Sequence, residues 1–152
     1  MRAITFTCRA TLTQTPDEIA SHILDVTQWL DFKGYGPLPG IKSAEVEVFT
    51  PEIIGTRIRV TNTDGSRQIE EIVEWQLPHR LQLSMQDFSA PLSLWATRIE
   101  ETWEFEAVGT ETKVSRSFRM LPRNIVAWPI LWLISILLKK AIARHLRQLR
   151  GQ

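Results

Sequence analysis

Three residues of this 152-residue chain could do chemistry because they are ionisable and fall on strand faces otherwise filled by apolar side chains: Glu71, Glu101 and Arg116. The first follows from Asp64-Gly65. Read as a two-residue hairpin turn, that pair sets Thr63 opposite Ser66 and, counting outward, Val60 opposite Ile69 and Ile58 opposite Glu71. Arg59 then meets Glu70 on the polar side, and Glu71 points inward with Ile69, Val73 and Trp75. Near the end of the sheet, Ile99, Glu101, Trp103 and Phe105 share one face, as do Val114, Arg116, Phe118 and Met120. A four-residue turn between these strands sets Glu101 directly across from Arg116, and a two-residue turn sets them diagonally. Both arrangements lie within reach of long side chains.

A buried charge without a partner is expensive, so such groups pair, bind something or meet water. One reading is a buried salt bridge with ordered water. The other is a ligand cavity with apolar walls and a few convergent polar groups. There Arg116 could hold a carboxylate, enolate or phenolate, and either glutamate, its pKa raised by desolvation, could act as general acid or base. A single β-bulge would turn every later residue to the other face. The six tryptophans, Trp29, Trp75, Trp95, Trp103, Trp128 and Trp132, are large enough to fill a core or to wall a pocket. Trp29, Tyr35, Ile58, Glu71, Val73, Trp75, Trp95, Glu101, Trp103, Arg116, Phe118 and Trp132 form the expected lining of such a cavity.

Other chemistries lack their residues. There is no Gly-x-Ser-x-Gly, no phosphate loop and no cysteine with a histidine partner, and neither a metal nor a cofactor is expected. Gly34-Tyr35-Gly36 has Pro39 where a dinucleotide fingerprint needs its third glycine, and no strand leads directly into it. His22 has no second ligand at metal spacing and reads as structural.

The elements that must position these residues begin with an alternating strand, with Ile4, Phe6, Cys8, Ala10 and Leu12 on one side. Thr15-Pro16-Asp17-Glu18 is a capping box with proline at the first helical position, opening a helix to about Leu24. A second short helix carries Trp29, Leu30 and Phe32. The loop Lys33–Gly40 leads to strands at about 42–50, 56–62, 66–76, 80–87, 96–107 and 111–120, an antiparallel meander. The chain closes on a long helix whose first part, Ile125 to Leu138, is apolar all round apart from Pro129 and Ser135. That run is too short for a bilayer, which takes about 20 apolar residues. It therefore needs cover from protein, ligand, a membrane surface or a second subunit. Its second part carries Leu138, Ile142, Leu146 and Leu149 on one face and Lys139, Lys140, Arg144, Arg147 and Arg150 opposite.

The net charge of +1 gives no reason to expect nucleic-acid binding. Five of the eighteen basic residues lie on the last helix, leaving the remainder net acidic. The lone Cys8 and the absence of a signal-peptide pattern in MRAITFTCRATL point to the cytoplasm.

Strand, two short helices, six strands and a long helix make an α+β chain, expected as a single domain over residues 1–152. With Thr15–Glu18, Trp29, Gly55-Thr56, the stretch Glu70 to Pro78 and the pattern Thr112 to Phe118 before the last helix, it resembles the helix-grip fold of the START-like superfamily, which includes polyketide cyclases and dehydrases and lipid-transport proteins. The resemblance implies a curved antiparallel sheet of seven strands gripping the C-terminal helix around a cavity for an apolar or aromatic ligand. Ligand binding without catalysis is the favoured expectation. A cyclase or dehydrase using the cavity glutamate and Arg116, a lipid-handling protein that lays Trp128 to Leu138 on a membrane, and a homodimer that buries this segment are the alternatives.

Overall fold

The computed structural model describes residues 2–151. Seven strands form one antiparallel sheet: β1 (Ile4–Leu12), β2 (Ile41–Val48), β3 (Arg57–Asn62), β4 (Arg67–Gln76), β5 (Arg80–Gln86), β6 (Ala96–Val108) and β7 (Glu111–Pro122). Their spatial order is β1-β7-β6-β5-β4-β3-β2, so the first two strands of the chain lie at opposite edges. The link between those edges is α1 (Pro16–Leu24) followed by a short helical turn, Val26–Asp31. The capping box forms as read. Thr15 Oγ1 accepts from the Glu18 N–H, and the Glu18 carboxylate accepts from the Thr15 N–H. Asp25 caps the second turn through the Thr27 N–H.

The long helix α2 (Trp128–Arg150) packs against β1 and β7, burying Leu131, Ser135, Leu138, Ala141, Ile142 and Leu146. The 3.6-residue period accounts for that stripe. Beneath it, Ile4, Cys8 and Leu12 of β1 join Trp103, Phe105, Val114, Phe118 and Met120 in the core, and Phe6 stacks on Phe118 with ring centroids 5.0 Å apart. The cover expected around the apolar run is incomplete. Ile125, Val126, Trp132 and Leu133 lie on the outward side of the segment and are exposed.

The β3–β4 hairpin departs from its expected register. Asn62, not Thr63, pairs with Ser66, through the Ser66 carbonyl and the Asn62 N–H at 2.8 Å, which leaves three residues in the turn. The Asp64 side chain accepts from the Ser66 N–H at 2.9 Å and Gly65 sits at φ +87°, the left-handed position that closes a three-residue loop. The extra residue shifts the count by one, so Ile58 lies opposite Glu70 and Arg57 opposite Glu71. Glu70 therefore points inward with Gln68 and Ile72. Glu71 lies on the outer face, bonded to Arg57 at 2.8 Å, and Val73 is exposed. A register shift between Ile72 and Glu74 returns Trp75 to the inner face opposite Leu81.

Candidate functional site

Between the concave face of the sheet and α2 lies a cavity of about 470 Å³. Its walls are apolar: Leu83 and Met85 from β5, Ile99 and Trp103 from β6, Phe118 from β7, and Ile134, Leu138 and Ile142 from α2. Trp29 and Phe32 close it on the side of the helical turn, and Phe88, Leu92 and Trp95 on the side of the β5–β6 loop. The Trp29 indole N–H is satisfied by the Ile23 carbonyl at 2.8 Å, which leaves its ring free to serve as wall.

The polar groups gather where β4, β6, β7 and α2 meet. Gly109-Thr110 is a two-residue turn, since Val108 pairs with Glu111, and this sets Glu101 opposite Phe118 and Arg116 opposite Trp103. Glu101 and Arg116 are thus diagonal neighbours. The Arg116 Nε–H donates to Glu101 Oε2, and both side chains are buried. The guanidinium also lies 4.5 Å from the Trp103 ring centroid and 5.6 Å from that of Phe118, a cation held between faces. Its Nη1 reaches His145 Nδ1 at 2.9 Å. Because a guanidinium only donates, Nδ1 accepts and the imidazole proton sits on Nε2. Burial, with Arg116 and His22 nearby, pushes the His145 pKa down to about 3, so the ring is neutral.

Glu70 is held differently. Only 5% of it is exposed, it lines the cavity, and no cation forms an ion pair with it among the described residues. Burial, and next the negative charge of Glu101, push its pKa up to about 8, against smaller opposing pulls from Gln68 and Arg116. At neutral pH it is a carboxylic acid, able to donate as well as accept.

The expected lining residues therefore divide. Trp29, Trp95, Glu101, Trp103, Arg116 and Phe118 line the cavity. Ile58 and Trp75 lie on the inner face but pack as core or core margin, away from the cavity. Glu71 and Val73 are on the outer face because of the three-residue turn. Tyr35 packs beside α2, with Arg144 and Lys140 5.0 and 5.5 Å from its ring centroid. Trp132 points outward. Glu70, Gln68 and His145 are the additions. His145 is detectable as a position flanking the Leu138–Ile142–Leu149 stripe. Glu70 is detectable only once the turn is known to hold three residues.

Residues 3–152 match the family described as polyketide cyclase / dehydrase and lipid transport, and the chain belongs to that family. No curated protein matches it significantly. Among solved structures it is similar to TTHA0849 from Thermus thermophilus, with a TM-score of 0.71, 18% identity, 97% of this chain covered and 95% of that one. It is also similar to a START superfamily protein from Mycobacterium smegmatis, with a TM-score of 0.67, 13% identity and coverages of 95% and 98%. Ginseng major latex-like protein 151 from Panax ginseng follows at 0.58, 16% identity and 95% and 98%. These likenesses establish the START-like helix-grip fold.

Proposed function

We propose that the protein binds a small hydrophobic or aromatic molecule in the cavity between sheet and α2 without transforming it. The observation that carries this reading is the cavity itself: a volume of about 470 Å³, within the usual range for small-molecule sites, with mostly apolar walls and a smaller set of polar groups, among them Glu70, Glu101, Arg116 and His145. Transformation by proton transfer needs an acid and a base that both face the ligand. Glu101 is committed to Arg116, and the pKa of His145 is too low for an effective base at neutral pH. Glu70 alone supports the second reading, a cyclase- or dehydrase-type enzyme, because a carboxyl with a pKa of about 8 is poised for general acid work.

Native mass spectrometry of freshly purified protein tests the binding reading. The expected result is a retained apolar molecule of a few hundred daltons, lost when Ile142→Trp fills the cavity. A wild-type protein that carries no adduct and takes up no added naphthalene-type compound would overturn it. Turnover of an aromatic polyketide, abolished by Glu70→Gln, would favour the enzyme.

A further inference from the structure

The polar end of the cavity also specifies the charge of its occupant. Arg116 is the only lysine or arginine among the described lining residues, and its charge is already matched by Glu101. The other ionisable groups facing the cavity are Glu70 on β4, His145 on α2 and His22 on α1, with Asp31 and Asp64 from the helical turn and the β3–β4 turn. Beside Glu101 and Arg116, Glu70 brings no positive charge, and burial keeps the His145 ring neutral. An anionic ligand would share the cavity with Glu101, Asp31 and Asp64, and the one guanidinium on the lining is already paired. A neutral ligand meets no such cost. Its remaining need is an acceptor for the Glu70 O–H, since Gln68, whose own oxygen accepts from Asn62 Nδ2, meets Glu70 as a donor.

We infer that the occupant is an electrically neutral apolar molecule bearing a hydrogen-bond acceptor, such as a ketone, ester or quinone carbonyl, which takes its hydrogen from the Glu70 carboxyl. This rests on the binding reading above. Three probes with one ring system separate the two: 2-ethylnaphthalene, 2-acetonaphthone and 2-naphthoate, titrated calorimetrically into wild type, Glu70→Gln and Glu70→Leu. At pH 6.5 the ketone is expected to bind roughly tenfold more tightly than the hydrocarbon, the effect of one good buried hydrogen bond, and the carboxylate most weakly. By pH 9.5 the ketone advantage falls in wild type but persists in Glu70→Gln, whose amide still donates. Glu70→Leu has no ketone advantage at either pH. Equal binding of ketone and hydrocarbon, or preference for the carboxylate, overturns this inference and leaves the cavity reading intact. Failure of all three probes overturns the cavity reading and this inference with it.

A separate observation concerns the outward side of α2. Ile125 and Val126 are 79% and 78% exposed just before the helix, and Trp132 and Leu133 are 46% and 57% exposed on its first turns, with Ile130 and Ile136 beside them. Further along, the same side becomes Lys139, Lys140, Arg144, Arg147 and Arg150, and Arg123 stands at the other end. No aspartate or glutamate follows Glu111. The β5–β6 loop is joined to this region, since the Arg123 guanidinium donates to the Ser93 carbonyl at 2.6 Å and its N–H to the Trp95 carbonyl at 2.8 Å. The exposed Leu94 thus belongs to a loop tied to Arg123, two residues from Ile125, and Leu92 and Trp95 of the same loop line the cavity.

Exposed apolar side chains with Trp, flanked by basic ones, match the boundary between headgroups and acyl chains of an anionic bilayer. A second copy would set one basic array against another. The geometry points to this face resting on an anionic membrane surface, with the loop at the cavity rim beside the lipid. No helix among the described residues is long and apolar enough to cross a membrane, so the contact is peripheral. Sedimentation with vesicles tests it. Binding is expected to phosphatidylcholine vesicles containing a quarter phosphatidylglycerol and not to pure phosphatidylcholine, weakened by salt, and lost in both Trp132→Ser/Leu133→Ser and Lys139→Glu/Lys140→Glu. Absence of binding at low salt overturns the proposal, as does a stable dimer in solution that the Trp132/Leu133 variant splits.

Discussion

The β3–β4 and β6–β7 hairpins each deliver one glutamate to the same cavity, and they treat it in opposite ways. The β6–β7 hairpin brings its own counter-charge, because its two-residue turn sets Arg116 diagonally across from Glu101. The β3–β4 hairpin commits its arginines elsewhere: Arg57 bonds Glu71 on the outer face, and Arg59 reaches Glu47 at 3.4 Å. Glu70 is left inside without a cation and keeps its proton. Burial alone does not decide whether an inward acid is charged. The diagonal neighbour does.

Removing the counter-charge should break this contrast most severely. Arg116→Met leaves Glu101 buried and unpaired, and chemical denaturation at pH 7 is expected to show a loss of about 3–5 kcal/mol. Combining it with Glu101→Leu is expected to return most of that loss, since an apolar pair of similar volume replaces the ion pair.

The two inward groups that burial keeps neutral, His145 and Glu70, should set the pH profile. His145 has a folded pKa below its ordinary 6.5, so the unfolded chain binds the extra proton and stability falls as pH drops through 6.5 towards 3. Glu70 has a folded pKa above its ordinary 4.5, so the unfolded chain releases the proton first and stability falls as pH rises from 4.5 to about 8. Between 4.5 and 6.5 the two slopes oppose and stability is flat. On either side each contributes about 1.4 kcal/mol per pH unit. Denaturant midpoints from pH 4 to 9 measure this, and Glu70→Gln is expected to erase the alkaline limb while leaving the acid one.

The smallest effects lie in the turns. Gly65 and Gly109 have φ of +87° and +63°, and alanine at either is expected to cost about 1–2 kcal/mol of stability. Only the Gly65 variant relaxes the turn that aims Glu70, so it should also lower the alkaline end of that residue's titration.

Much of this fold is legible in the residues. The capping box at Thr15, the inner row from Ile4 to Leu12, and Glu101 with Arg116 between long alternating runs follow from local pattern. The β3–β4 hairpin is harder because both registers place one glutamate among apolar neighbours. Gln68-Glu70-Ile72 looks less apolar than Ile69-Glu71-Val73, and the Asp64 bond to the Ser66 N–H, which lengthens the turn, leaves no trace in hydropathy. The bulge after Ile72 then returns Trp75 to the side where simple alternation also puts it. Trp132 illustrates a different limit: an apolar run tells that cover is needed, but not which side of the helix receives it from the protein.

The sheet's order has a consequence for how the protein is made. Among the described residues β1, which precedes the other six strands in the chain, pairs with β7 alone, Leu12 opposite Thr112 and Ile4 opposite Met120. Until more than a hundred further residues have been synthesised, its hydrogen-bonding edge has no mate in the fold. Such distant pairing slows acquisition of the native state and exposes a sticky ribbon meanwhile. Losing β7 and α2 would therefore unseat β1 as well, since both pack against it.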